Sequence, residues 1–218
     1  MKFINHIKDP GSAITHFIAW LSAVIAATPL LIRASSNPNP IFVFSASIFI
    51  VSMILLYGAS TIYHTFDVNT KVNRILKKLD HAMIFVLIAG TYTPVCLLAL
   101  DQTTGYRLLT LVWTIAIVGV IIKLLWINCP KWFSSIIYIG LGWLCVTAFS
   151  PLIHNLSSVA FDWLLAGGII YTIGGIIYAI KCPLFNARHK YFGNHEIFHL
   201  FVMAGSFCHF IFIYKYLI

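Results

Sequence analysis

The stretch PIFVFSASIFIVSMILLYGASTIYH, Pro40 to His64, decides the fold class. None of its residues is Asp, Glu, Lys or Arg. An α-helix rises about 1.5 Å per residue, so about 20 apolar residues cross the hydrocarbon core of a bilayer. A closed barrel is the other structure that can span, but its strands alternate apolar and polar residues. This stretch is continuously apolar, so it reads as a membrane-spanning helix.

The rest of the chain repeats the pattern. Of 218 residues, 60% are hydrophobic and 9% are charged, and the mean hydropathy is +0.92. A water-soluble domain carries about 25% charged residues. Disordered chains are polar and poor in aromatics, whereas 15% here are Phe, Trp or Tyr. Apolar runs bounded by Pro, Gly, Asn and charges predict seven spans in a single all-α transmembrane domain, residues 1–218. They cover 12–32, 40–64, 80–100, 105–127, 131–153, 161–180 and 194–216. The run that follows Met1-Lys2-Phe3 is expected to be the first span rather than a cleavable signal.

Orientation follows from the basic residues, which cytoplasmic loops retain. With the N-terminus inside, one face receives Lys2, Lys8, Lys71, Arg74, Lys77, Lys78, Lys123, Lys131, Lys181, Arg188 and Lys190. The other receives only Arg33, Arg107 and Lys215. The expectation is therefore a cytoplasmic N-terminus and an external C-terminus. The net charge of +8 then reflects topology and contact with anionic lipid. No nucleic-acid partner is expected, and the sequence leaves the oligomeric state open.

Five scattered cysteines (Cys96, Cys129, Cys145, Cys182 and Cys208) show no paired spacing. They read as small buried hydrophobes rather than a disulfide framework or zinc ribbon. Pro94, after Gly90-Thr91-Tyr92-Thr93, predicts a kink in the third span. Gly168, Thr172, Gly175 and Ala179 form a stripe of small residues expected to admit a neighbouring helix.

Ionisable groups inside a membrane carry a high cost and mark function. His64 closes the second span, Asp80 and His81 open the third, and His195 and His199 open the seventh. All fall in one depth layer, at the predicted inner leaflet. His195 and His199 stand four apart, hence on one helix face about 6 Å apart in rise. Two such imidazoles can share one Zn²⁺, completed by a further His or carboxylate with an open water position. Asn194 is a candidate cap for that helix, and Ser60 lies one turn before His64, where it could orient the imidazole or a water. Taken singly, Asp80 reads as a helix cap, His81 as a packing residue, and His16 and His209 as hydrogen-bonding residues within the bundle. Asp9, Asp67, Asp101 and Asp162 read as solvated, and His6, His154 and His189 as loop residues.

Two resemblances follow. His195-Glu196-Ile197-Phe198-His199 matches H-E-x-x-H, the zinc metalloprotease motif in which Glu is the general base. None of the residues after His199 is an acid, so a third ligand would come from upstream. A longer match covers nearly the whole chain. Ser60-Thr61-Ile62-Tyr63-His64, Lys78-Leu79-Asp80-His81, Leu87-Ile88-Ala89-Gly90-Thr91-Tyr92-Thr93-Pro94, Gly142-Trp143, and His195-x-x-x-His199 with Gly205-Ser206-x-Cys208-His209-Phe210 closely resemble the hemolysin III family. That family is the bacterial branch of the progestin and adiponectin receptor group.

The resemblance implies seven helices with the N-terminus in the cytoplasm, in a bacterial plasma membrane. It implies Zn²⁺ held by His64, His195 and His199, with Asp80 contacting the zinc-bound water and Ser60 beside it. Glu196 departs from many relatives and reads as incidental or as a second proton acceptor. Adiponectin receptors and alkaline ceramidases imply hydrolysis of lipid amides. The bacterial branch is named for haemolysis and is linked to membrane-lipid homeostasis. The leading expectation is a zinc-dependent hydrolase of lipid amides or esters, with membrane lipids as partners and possible substrate. The alternatives are a non-enzymatic regulator or sensor with structural zinc, and a channel-forming haemolysin. An intramembrane metalloprotease ranks last.

Overall fold

The computed structural model describes residues 7–180 and 193–218. Among these residues every regular element is helical. In chain order they are α1 (Pro10–Ser35), α2 (Pro40–Thr65), α3 (Thr70–Pro94), α4 (Gln102–Leu125), α5 (Lys131–Gly142), α6 (Phe149–Asn155), α7 (Ser158–Ile180) and α8 (Asn194–Phe212). A π-helical turn, Val95–Ala99, extends α3; a 3₁₀ segment, Trp143–Ala148, joins α5 to α6; and a second π-helical turn, Ile213–Leu217, extends α8.

Taken with these extensions, seven helical segments are long and apolar enough to cross a membrane. The outward surface carries large apolar side chains: Ile25, Ile32 and Leu125 are each about two-thirds exposed or more. A soluble protein rarely leaves such faces bare; lipid covers them here. The core lies between the helices, where Phe49, Phe85, Leu30 and Phe212 are fully buried. α1 packs on α2, α2 on α3 and α3 on α4, while α7 packs on α8 and α8 returns to α1. The start of α8 therefore stands beside the start of α1 and the end of α2.

The third span begins earlier than its hydropathy suggests. α3 starts at Thr70, with the Asn69 side chain accepting from the Val72 amide at 2.9 Å. Asp80 is thus an interior residue of α3, not its cap. From Thr70 to Ala99 the helix has 30 residues, about 45 Å of rise, against a hydrocarbon core of about 30 Å. The Lys- and Arg-bearing first turns therefore extend beyond the apolar layer.

Two irregularities lie face to face. Pro94 cannot donate a backbone hydrogen bond, and the π-helical turn follows it directly. Opposite, the fifth span loses α-helical geometry after Gly142. Tyr92 stitches that break: its hydroxyl donates to the Gly142 carbonyl at 2.6 Å and accepts from the Cys145 amide at 2.8 Å. Backbone groups freed within a membrane need such partners.

The small-residue stripe of α7 admits a neighbouring helix in part: a Cβ on Gly175 would lie 3.1 Å from the Ile139 side chain of α5. The close approach to α8 uses Gly167 and Gly174. A Cβ on Gly167 would lie 2.6 Å from the His209 ring, and one on Gly174 would lie 2.7 Å from the Phe201 Cβ. Gly168, Thr172 and Gly175 also line a cavity.

Candidate metal centre

Three histidines converge where α2 ends and α8 begins. His64, His195 and His199 each offer a ring nitrogen, and these atoms all lie within 4.8 Å of one another. Nε2 of His64 and Nε2 of His195 are 3.2 Å apart. Two imidazoles on one tetrahedral zinc, each at 2.0–2.1 Å, would hold their nitrogens about 3.3 Å apart. The spacing therefore fits two ligands of one ion. His64 and His199 are almost fully buried.

The other ring nitrogens of two of these residues are fixed by α1 and the segment before it. His64 Nδ1–H donates to Asp9 Oδ2 at 2.9 Å. That bond holds the Asp9 carboxyl below its usual pKa, against the opposing effect of partial burial. His199 Nδ1 lies 3.2 Å from the Thr15 hydroxyl, which itself donates to the Gly11 and Ser12 carbonyls. With the one hydroxyl hydrogen turned to either carbonyl, the Thr15 oxygen accepts from His199 Nδ1–H. Both contacts leave Nε2 as the lone-pair nitrogen, the arrangement that outer partners impose on metal-binding histidines. Backbone bonds fasten this segment to the end of α2, from Lys8 N to Thr65 O at 3.2 Å and from Asp9 N to His64 O at 2.9 Å.

The sequence does not mark Thr15, and it reads Asp9 only as a solvated acid. Its side chain is indeed 44% exposed, and it is paired with His64 as well. Distance along the chain hides that pairing: its partner lies 55 residues away, and no local pattern announces such a contact.

The remaining candidates fall out as follows. Asp80 is buried on the wall of the cavity that His195 and His199 also line. Its Oδ2 lies 3.4 Å from His81 Nδ1. His81 Nδ1 also lies 2.9 Å from the Lys77 carbonyl. The Ser60 hydroxyl is buried with no hydrogen-bond partner among the described residues, as is His195 Nδ1. Glu196 faces α1: its Oε1 accepts from the Ser12 hydroxyl at 2.5 Å and its Oε2 from the Gly193 amide at 2.8 Å. It thereby caps α8, the role expected of Asn194, which is the first residue of the helix.

His16 and His209 are not the hydrogen-bonding residues expected. Both ring nitrogens of His16, and Nδ1 of His209, are buried without partners among the described residues. His16 stacks flat on His199, with ring centroids 3.5 Å apart. His154 lies within α6, not in a loop. His6, His189 and Cys182 fall outside the described residues.

From the histidines a cavity runs between α3, α5, α7 and α8. Tyr178 and Phe161 of α7 both line it; at helical rise they lie about 26 Å apart. Leu87, Ile88, Leu164 and Phe198 are typical of its apolar walls. A buried histidine cluster able to hold a metal, at one end of a long apolar cavity, suits a ligand with a polar head at the cluster and a hydrocarbon chain beyond it.

The family model described as Haemolysin-III related matches residues 4–210. The chain belongs to the haemolysin III family. Among haemolysin III proteins it is similar to hemolysin-3 of Bacillus cereus, 39% identical over 200 residues, covering 91% of this chain and 87% of that one. Similarity to the hemolysin-3 homolog of Bacillus subtilis is 38% over 199 residues, covering 91% and 89%. The adiponectin receptor protein of Drosophila melanogaster is more distant, 24% identical over 225 residues, covering 93% of this chain and 49% of the receptor. With seven apolar helical segments, this haemolysin III protein is a multi-pass membrane protein, and its bacterial relatives point to the plasma membrane.

Proposed function

We propose that this haemolysin III protein is a zinc-dependent hydrolase of lipid amides or esters, with His64, His195 and His199 as ligands. One observation carries the reading: His195, His199 and a buried carboxylate, Asp80, line one end of a long apolar cavity, and His64 converges on the two histidines from α2. Three histidines leave a position open for water. Zinc held there supplies a water of lowered pKa and polarises the substrate carbonyl.

The chain's own residues do the rest. Asp80 takes the proton from the attacking water and later returns it to the leaving group. The Ser60 hydroxyl, otherwise without a partner, aligns that water or the His64 ring. The apolar walls hold the acyl chain and exclude bulk water. The distribution of Lys and Arg supports placing this end of the bundle in the cytoplasmic leaflet, where membrane lipids reach it.

Glu196 speaks against the metalloprotease reading. Both of its oxygens are engaged at the start of α8, which leaves it a capping role. A structural metal is the second reading. Residues from the segment before α1, from α2 and from α8 meet at the cluster, so an ion there would tie three parts of the bundle together.

The test compares two acids. Asp80→Asn keeps size and hydrogen bonding but removes the proton acceptor. Loss of a general base costs about 10²–10⁴-fold, so turnover of a fluorogenic ceramide or acyl ester should collapse while zinc remains bound. Glu196→Gln should stay within a few-fold of wild type. If Glu196→Gln alone inactivates, these roles are misassigned. If neither variant changes the lipid composition of the host membrane and only zinc removal does, the metal is structural.

A further inference from the structure

A second pocket lies at the same end of the bundle, outside the metal cluster. Lys8, Arg74 and Lys77 line it together with Tyr63, Asn73 and Asn128. The three cations come from two separate parts of the chain, the segment before α1 and the first turns of α3. Lys8 is held in place: its ammonium lies 3.6 Å from the centre of the Tyr63 ring and donates to the Tyr63 carbonyl at 3.4 Å. Asn73 is fixed as well, since its Oδ1 accepts from Val68 N and its Nδ2 donates to Asp67.

Like charges brought into one concavity repel unless something negative joins them. Among the described residues no carboxylate forms an ion pair with Arg74 or Lys77. Neither nearby acid lines the pocket: Asp9 bonds His64, though its charge still reaches Lys8, and Asp67 bonds Asn73, which leaves Arg74 and Lys77 without a carboxylate partner among the described residues. The lining is rich in N–H and O–H donors and holds no carboxylate. Its depth also matters. The 20 residues from Asp80 to Ala99 already fill about 30 Å of hydrocarbon, so Arg74 and Lys77 stand one to two turns above it, at headgroup level. Basic pockets at that level bind lipid phosphates, and guanidinium groups match phosphate oxygens in pairs.

We infer that Lys8, Arg74 and Lys77 form a phosphate-binding site at the membrane surface, distinct from the metal centre. Its occupant is the phosphate of an anionic phospholipid or free inorganic phosphate, which present the same oxygens. The site adjoins the metal centre through chain neighbours, Lys8 beside Asp9 and Tyr63 beside His64, yet shares no residue with it.

The experiment uses the purified full chain in neutral detergent micelles. Short-chain phosphatidylglycerol, phosphatidylcholine and inorganic phosphate are titrated separately, with binding read by native mass spectrometry. Wild type should bind phosphatidylglycerol in preference to phosphatidylcholine. Arg74→Gln combined with Lys77→Gln should weaken that binding roughly thirtyfold, given the usual contribution of two surface cations. Lys71→Gln combined with Lys78→Gln removes equal charge from the same helix but outside the pocket, and should change binding by only a few-fold. Zinc content should be equal in all three proteins, which separates this site from the metal centre. Displacement of the lipid by inorganic phosphate would identify free phosphate as a competing occupant, and resistance to it would assign the site to lipid. Equal losses in the two double variants would mean a diffuse surface potential and overturn the proposal, as would a wild type that binds neither phosphatidylglycerol nor phosphate.

Discussion

Asp9 and Thr15 do for His64 and His199 what those rings cannot do alone: they select which nitrogen keeps its lone pair. A ring free to rotate or change tautomer presents the wrong atom part of the time. Losing such an outer partner typically weakens metal affinity about 10–100-fold. Asp9→Ala should therefore show zinc affinity reduced within that range in a chelator competition, with the metal still bound at saturating concentration. Asp67→Ala, an acid bound to Asn73 at the same end of the bundle, should leave the affinity unchanged. The convergence of the three histidines is legible in the sequence. Two histidines four apart on one helix, level with a third at another helix end, is a pattern that topology alone can assemble. Their outer partners were not legible, because Thr15 and His199 are 184 residues apart and nothing around Thr15 distinguishes it from any other helix hydroxyl. His16 escapes the sequence for a related reason: spacing places it inside the bundle but does not say that it stacks on His199 rather than finding a hydrogen bond.

At the scale of single elements, hydropathy located the seven spans but not where each helix starts or which face it turns inward. α3 reaches back to Thr70 through a Lys- and Arg-rich stretch that reads as a loop, since its charges belong to the headgroup layer and not to the hydrocarbon. The α7 glycines show the same limit. Two sets of small residues lie on adjacent faces, and only the position of α8 decides that Gly167 and Gly174 take the contact. Tyr92 carries the clearest consequence. Tyr92→Phe would remove the donor to Gly142 and the acceptor for Cys145 without changing the packed volume. Leaving a buried polar group unpaired costs about 1–3 kcal/mol, so the variant should melt at a lower temperature in detergent while retaining zinc. A pH dependence arises at the start of α4, where Asp101 accepts from the Thr103 and Thr104 amides. Its bonds to Thr104, chiefly, hold its pKa below the ordinary 3.8. A carboxyl with a lowered folded-state pKa stabilises above its unfolded value and loses that effect as the pH falls through the folded one. Thermal melts of wild type and Asp101→Asn should therefore converge as the pH drops below about 4, and diverge at neutral pH with wild type the more stable.

For the molecule as a whole, the bundle brings His64, His195 and His199 together at one end and runs an apolar cavity along most of its depth. Which side of the membrane that end faces rests on the distribution of Lys and Arg. A reporter fused after Ile218 should be active outside the cytoplasm, and one inserted between Phe66 and Asn69 should be active inside; the reverse pair would move the metal centre to the outer leaflet. Everything proposed for catalysis depends on the cluster holding an ion, and a direct determination of metal content tests this most plainly. Protein purified without chelator should carry about one Zn²⁺ per chain, as a single three-histidine site requires. His195→Ala combined with His199→Ala should carry none, while His154→Ala, on the exposed face of α6, should match wild type. Full zinc retention in the His195→Ala and His199→Ala double variant would contradict the account.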